Sequence, residues 1–108
     1  MRYRVLLTDD AVHDLEEIDD YISEHDSPQS ADYVLNQIEE LIPTLADFPD
    51  RGAFPKELLT LGIKEYPEVF FKPYRLIYRV IGNDVIIYMI SDGRRDMQTQ
   101  LQRRLLAS

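Results

Sequence analysis

The sequence contains no cysteine and no tryptophan, and it has only four glycines and two histidines. Without cysteine, the chain can form no disulfide bond and can carry out no thiolate chemistry. His13 and His25 lie twelve residues apart with no cysteine to join them, so no tetrahedral zinc site is expected. The isolated glycines form no phosphate-binding loop, and there is no Gly-x-Ser-x-Gly nucleophile motif. We therefore expect neither a metal ion nor another cofactor.

Long hydrophobic runs are absent as well. The longest, residues 85–90, has six residues, whereas a membrane-spanning helix needs about 20. Charged residues at both ends of the segment 2–10 leave no room for the hydrophobic core of a signal peptide. With 44% hydrophobic and 30% charged residues, the composition is that of an ordinary globular protein. We expect one domain over residues 1–108, located in the cytoplasm and without a membrane partner.

The net charge of −8 is unevenly distributed along the chain. Residues 1–50 hold 14 acidic and 2 basic side chains, whereas residues 51–108 hold 6 acidic and 10 basic ones. The first half therefore has a net charge of −12 and the second half of +4. A chain of this kind can still present a positive surface to an acidic partner.

The N-terminal half predicts a strand followed by two antiparallel helices. Residues 3–8 have the β-branched and aromatic character of a strand. Thr8 is a suitable N-cap for a first helix that ends near His25, and Ser27-Pro28 has the residue types that begin a second. Apolar residues recur at helical spacing in both segments, which predicts a continuous apolar seam between the helices.

The C-terminal half predicts three strands and a short helix. Residues 63–71, 74–81 and 85–91 are strand-like, and Gly82-Asn83-Asp84 is typical of a hairpin turn. Residues 97–106 predict a terminal helix. The order β-α-α-β-β-β-α indicates an α+β fold, with the antiparallel helical hairpin packed on one face of a small antiparallel sheet.

The predicted hairpin has one apolar face and one mixed face. A two-residue turn places Tyr74, Leu76, Tyr78 and Val80 on the same side as Val85, Ile87 and Met89, facing the helices. The other side then carries Arg75 and Arg79 with Ile86, Tyr88 and Ile90. A three-residue turn would bury both arginines in the core, which is costly. We therefore expect the mixed face to be an exposed binding surface. The expected core residues are Leu15, Ile18, Leu35, Ile38, Leu76, Tyr78, Ile87 and Met89.

Two consecutive motifs stand out in the C-terminal half: Pro-Tyr-Arg-Leu-Ile-Tyr-Arg-Val over residues 73–80, and Ser-Asp-Gly-Arg-Arg-Asp over residues 91–96. They resemble motifs of the RelE/ParE superfamily of bacterial type II toxins. The opening strand, the helical hairpin and the loop at residues 48–52 are also similar, so that the resemblance covers residues 3 to 106. It implies a toxin of a toxin–antitoxin pair, held inactive by a cognate antitoxin, with a homodimer or a toxin–antitoxin hetero-oligomer as the expected assembly.

The superfamily implies two activities. RelE-like members are mRNA endonucleases that act in the ribosome, whereas ParE-like members poison DNA gyrase. Arg75 and Arg95 match arginine positions of the nuclease branch. Residues 97–108, however, contain no Tyr, His, Asp, Glu or Lys that could transfer a proton, and arginine stays protonated. Asp92 also stands where relatives often carry histidine. The resemblance is therefore closer to the ParE branch, with DNA gyrase as the expected target and the ribosome with mRNA as the alternative.

The residues expected to bind the antitoxin or the target are mostly basic. They are Arg75, Arg79, Tyr88, Arg94, Arg95, Arg103 and Arg104. A purely structural role remains open for the arginines, in ion pairs with Glu65, Asp92 or Asp96. It also remains open that the chain is an inactive relic that still binds its antitoxin.

Overall fold

The first two helices begin at the predicted capping residues, Thr8 and Ser27. The structure is a computed structural model and describes residues 2–106. The side chain of Thr8 accepts a hydrogen bond from the backbone N–H of Ala11 at 3.1 Å, and that of Ser27 accepts one from Ser30 at 3.0 Å. The elements are β1 (Arg4–Leu7), α1 (Asp9–His25), α2 (Pro28–Asp47), α3 (Lys56–Leu59), β2 (Glu68–Phe71), β3 (Tyr74–Ile81), β4 (Asp84–Asp92) and α4 (Met97–Leu101), which continues as a π-helical turn, Gln102–Leu106.

The four strands form one sheet in the order β1-β4-β3-β2. The pairings β2–β3 and β3–β4 are antiparallel, and β1 runs parallel to β4 at the sheet edge. The predicted α+β class is confirmed, and the predicted helices and strands follow in the predicted order; the sheet is mainly antiparallel and not wholly so, because β1 is parallel to β4. The sequence did not predict α3, and β2 is shorter than the predicted strand over 63–71 because it begins only after Pro67, which cannot donate to a strand ladder.

The β3–β4 hairpin has the predicted two-residue turn. Ile81 pairs with Asp84 and Val80 with Val85, and the turn residue Gly82 has a φ of +60°, which glycine adopts without strain. Further along, the register shifts: Tyr78 pairs with Ile87 but Ile77 with Met89. Tyr88 is therefore an extra residue in β4, a β-bulge, and the faces of the following residues are reversed relative to the prediction.

The sheet consequently has an apolar cluster on each side. The first lies under α1 and α2 and includes Leu76, Tyr78 and Ile87 as predicted. The second lies under α3 and α4 and is built by Leu58, Ile77, Met89, Met97 and Leu101. The prediction that helices cover only one face was wrong.

The bulge accounts for two wrong core assignments. Met89 belongs to the second cluster and not to the helical seam, and Ile90, expected to be exposed, is buried in the first cluster. On the helices, Ile38 is fully buried and Leu15 and Ile18 pack partly buried against the first cluster. Leu35 is half-buried and lies outside both clusters. No helix within residues 2–106 is long and apolar enough to cross a membrane.

Candidate interaction surfaces

Arg75 is not exposed on the sheet, as the sequence had led us to expect. Its side chain is 12% exposed, and it donates from Nε to Glu68 at 2.6 Å and from both terminal nitrogens to Glu57 at 2.8 and 2.9 Å. Glu57 and Glu68 are themselves only 15% and 6% exposed. This arrangement, which we call the Arg75 clamp, fastens α3 to β2 and β3. Arg75 has a structural ion pair, with partners other than those proposed from the sequence.

Gly93 explains how the two sequence motifs depend on each other. A Cβ atom at position 93 would lie 2.6 Å from Cδ and 3.0 Å from Cγ of Arg75. Glycine therefore makes room for the stem of Arg75, whose head is held by two carboxylates. The Gly-Arg-Arg-Asp motif thus supports the clamp through its glycine.

The pKa values of the two carboxylates in the clamp are shifted in opposite directions. Hydrogen bonding from Arg75 lowers the pKa of Glu57. Burial raises the pKa of Glu68, and this effect exceeds the opposing effect of Arg75. The pKa of Arg75 is raised, with its hydrogen bonds to Glu57 as the main cause. The guanidinium stays charged and cannot act as an acid or a base.

Arg79 and Tyr88 lie in an aromatic group on the second face of the sheet. The guanidinium of Arg79 is 5.6 Å from the ring centre of Tyr66, and the rings of Tyr66 and Tyr88 meet edge to face at 5.7 Å. The cationic and aromatic partners stabilise each other in this geometry. All three residues are half-buried, so this part of the expected mixed face is accessible to a limited extent.

The second half of β4 has no strand beside it on the β1 side, because β1 pairs only with residues 84–87. Two side chains meet this free edge instead. The carboxylate of Asp14 accepts from the N–H of Ile90 at 2.9 Å, and Arg104 donates to the carbonyl of Tyr88 at 2.8 Å. Arg104 also binds Asp14 with two hydrogen bonds, at 2.8 and 3.0 Å. Arg104, expected to contact a partner, is therefore held by an ion pair that closes the sheet edge.

A groove of about 760 Å³ runs along this edge. One wall is α1 with Asp10, His13, Glu17 and Tyr21, the floor contains Tyr74, Ile90 and Ser91, and the other wall carries Asp92, Gln100 and four arginines. These arginines are Arg94, Arg95, Arg103 and Arg104. The structure thus brings together four of the seven residues predicted from the sequence, and it places Arg75, Arg79 and Tyr88 elsewhere.

The exposed arginines of the groove differ in their pairing. Arg94 binds Asp92 in an exposed ion pair with a shortest distance of 2.6 Å, which lowers the pKa of Asp92. Within residues 2–106, Arg95 and Arg103 form no ion pair. In the same range, no three histidine, aspartate or glutamate side chains cluster in a way that could hold a metal ion. The groove is suited to binding charged side chains.

Sequence reasoning missed the partners of these residues. Glu57 belongs to the unpredicted α3, so no pattern placed it near Arg75. Glu68 was within a predicted strand, where an acidic residue could have indicated a buried ion pair. Asp14 lies in α1 beside the apolar residues Leu15 and Ile18, and no sequence pattern indicated it as a partner of Arg104.

Comparison with known proteins decides the family. The family model described as ParE toxin of type II toxin–antitoxin system, parDE, matches residues 5–97. The chain belongs to the ParE toxin family. It is also 31% identical to toxin ParE3 of Caulobacter vibrioides over 101 residues, which covers 94% of this chain and 97% of that protein. The resemblance to the RelE/ParE superfamily, and to its ParE branch, is confirmed.

Solved structures share the fold of this ParE family member. The chromosomal ParDE system of P. aeruginosa matches with a TM-score of 0.71 at 20% identity, over 84% of this chain and 96% of that one. The toxin–antitoxin complex RelBE2 of Mycobacterium tuberculosis matches with 0.61 at 21% identity, over 85% and 92%. A RelE mutant of E. coli in the free state matches with 0.63 at 13% identity, over 97% and 100%. Both branches of the superfamily therefore share this architecture.

Proposed function

We propose that this ParE-family toxin inhibits DNA gyrase by binding it, and that a cognate antitoxin neutralises it. The observation that carries the choice of target is the Arg75 clamp. A RelE-like nuclease needs this arginine to face the RNA and stabilise the charge of the transition state. Here the guanidinium donates to Glu57 and Glu68 and is 12% exposed. An arginine held in this way supports a protein that acts by binding and not by cleavage.

The C-terminal segment supports the same choice. Phosphodiester cleavage without a metal ion needs a group that transfers protons. The acidic residue that follows Arg95 in the sequence is Asp96, which caps α4 by accepting from the N–H and the hydroxyl of Thr99 at 3.2 and 2.7 Å. These hydrogen bonds lower its pKa and keep it ionised. Residues 97–108 contain no other side chain suited to proton transfer.

The exposed arginines of the groove are the proposed contact with gyrase. Arg94, Arg95 and Arg103 project from the basic C-terminal part of the chain and are exposed. Such charges steer association with an acidic surface and contribute to specificity. Arg79 and Tyr88 stay predicted contacts of the antitoxin. The earlier expectation that Arg75 joins them is not retained, because the clamp withdraws it from solvent.

A supercoiling assay with purified gyrase tests the target. We expect the toxin to inhibit supercoiling or to trap cleaved DNA, and the double variant R95E/R103E to need at least about tenfold more protein for the same effect. K64E, a charge reversal outside the groove, is the matched control and should inhibit like the wild type. Ribosomes programmed with mRNA should show no site-specific cleavage.

Other outcomes of this assay replace the proposal. Site-specific cleavage of mRNA on ribosomes would establish the nuclease activity, and its loss in an Arg75→Ala variant with unchanged thermal unfolding would identify Arg75 as the catalytic arginine. Inactivity towards both gyrase and ribosomes, together with binding to an antitoxin, would establish an inactive relic.

A further inference from the structure

We propose that the groove between α1 and the C-terminal segment receives a polypeptide segment of mixed charge from the antitoxin, with a carboxylate side chain seated on Tyr74 between Arg95 and Arg103. This inference rests on the proposed function, since it names the surface through which the antitoxin acts. It also gives neutralisation a physical basis: the segment covers the arginines that are proposed to contact the target.

The first observation is an accessible tyrosine hydroxyl in the floor of the groove. The ring of Tyr74 is buried, with 9% of the residue exposed, but its hydroxyl is accessible in the groove, because no buried side-chain oxygen within residues 2–106 lacks a hydrogen-bond partner and this hydroxyl has none. The hydroxyl is therefore free to bind a group that enters the groove. Burial raises the pKa of Tyr74, so the hydroxyl remains protonated at neutral pH and can donate to a carboxylate.

A second polar group faces the same floor. Ser91 is 5% exposed and donates its hydroxyl to Oε1 of Gln100 at 2.8 Å. This hydrogen bond orients the amide of Gln100 and leaves its NH₂ group, which forms no hydrogen bond within the described residues, as a donor at the groove. Tyr74 and Gln100 thus present two donors to an acceptor.

The walls determine the chemistry of the occupant. Arg95 and Arg103 lack intramolecular ion pairs in the part of the chain described, so they attract an acidic side chain. The opposite wall carries Asp10 and Glu17, which would repel a nucleic acid backbone of uniform negative charge. A polypeptide that carries acidic residues on one side and basic residues on the other complements both walls.

The sheet edge further restricts how the occupant binds. Asp14 and Arg104 already occupy the N–H of Ile90 and the carbonyl of Tyr88. An incoming strand would have to displace a bidentate ion pair to pair with β4. The occupant is therefore recognised through its side chains, by the hydroxyl of Tyr74 and the two free guanidinium groups.

Calorimetric titration of the toxin with the protein encoded by the adjacent gene tests the inference. Y74F removes only the hydroxyl and should raise the dissociation constant about threefold to tenfold. R95E/R103E should raise it by more than about tenfold, and E17K should also weaken binding because it reverses the charge of the acidic wall. K64E, which lies outside the groove, should bind like the wild type. Thermal unfolding of each variant verifies that the fold is retained.

The outcomes separate this inference from the proposed function. If the antitoxin binds Y74F, R95E/R103E and E17K as it binds the wild type, the groove is not its site, although the toxin–antitoxin function stands. If the adjacent protein does not bind the wild type at all, this inference and the proposed neutralisation are both wrong, whereas the supercoiling assay alone decides the inhibition of gyrase. A labelled DNA duplex provides the opposing outcome. If the duplex binds more weakly to R95E/R103E than to the wild type, and more tightly to E17K than to the wild type, the choice of a protein as the occupant is overturned.

Discussion

At the scale of single residues, Arg75 shows how partners elsewhere in the fold decide what a side chain does. The motif that contains it resembles a motif of nucleases, but two acidic residues outside that motif decide what the guanidinium does. Glu57 and Glu68 occupy three of its nitrogen atoms at 2.6 to 2.9 Å. Two carboxylates around one cation leave a net negative charge, which is tolerable because Glu68 has a raised pKa and Glu57 remains partly hydrated.

The clamp predicts a pH-dependent contribution of Glu57 to stability. Because Arg75 lowers the pKa of Glu57, the stabilisation is present above the pKa of an unfolded glutamate and is lost as the pH falls through the lowered value. Glu57→Gln should destabilise the protein by about 1–3 kcal/mol at pH 7. At low pH the difference from the wild type should shrink, since protonated glutamate and glutamine are similar.

Urea unfolding of both proteins measures this difference. The measurements run from about pH 3 to about pH 7, because glutamate titrates within this range. Glu65→Gln, the same change at an exposed position, is the control and should have a small effect throughout. A constant difference between Glu57→Gln and the wild type at all pH values would show that the charge of Glu57 contributes nothing.

At the scale of elements, the first cluster joins α1 and α2 to the sheet. Ile38 lies in α2, is fully buried and packs in the first cluster. Ile38→Ala should lower the free energy of unfolding by about 2–5 kcal/mol, because it removes buried methyl groups and leaves a cavity. Leu35→Ala on the same helix, outside the cluster, should cost clearly less. Chemical denaturation measures both, and equal losses would mean that the two positions are packed alike.

The elements also show which parts of the fold are encoded locally. Thr8 and Ser27-Pro28 begin helices through their own side chains and dihedral angles, and Gly82 fixes the hairpin turn, so these features were predictable from a few residues. The bulge at Tyr88 was not, because it is stabilised by Asp14 and Arg104, which are far away in the sequence.

The same reasoning applies to the candidate site. The arginines that line the groove could be identified from the basic character of the C-terminal segment. Their accessibility could not, because it depends on acidic partners in other elements: Asp14 for Arg104, and Glu57 for Arg75. Tyr74 was assigned to the apolar face of the hairpin. It is the first residue of β3 and lines the groove, which the sequence did not indicate.

At the scale of the whole molecule, the uneven charge of the two halves has a structural counterpart. The acidic helix α1 and the basic C-terminal segment lie on opposite sides of the groove, and Asp14 and Arg104 join them across the free edge of β4. The side chains are 12% and 25% exposed, so solvent and salt screen this pair less than a surface pair. The C-terminal segment is thereby fastened to α1.

A double-mutant cycle measures how strongly the Asp14–Arg104 ion pair couples α1 to the C-terminal segment. Asp14→Asn and Arg104→Met should each cost about 1–3 kcal/mol, since each removes the bidentate ion pair and weakens the closure of the β4 edge. In Asp14→Asn, Arg104 keeps, among residues 2–106, only its longer ionic contact with the exposed Asp10 at 3.8 Å. The double variant should cost less than the sum, because both changes remove the same interaction. Arg4 and Asp84, an exposed ion pair, provide the matched control cycle and should show a smaller coupling that salt reduces further. If the losses for Asp14 and Arg104 add within about 0.5 kcal/mol, the ion pair does not couple α1 to the C-terminal segment, and each side chain acts only through its own hydrogen bond to the backbone of β4.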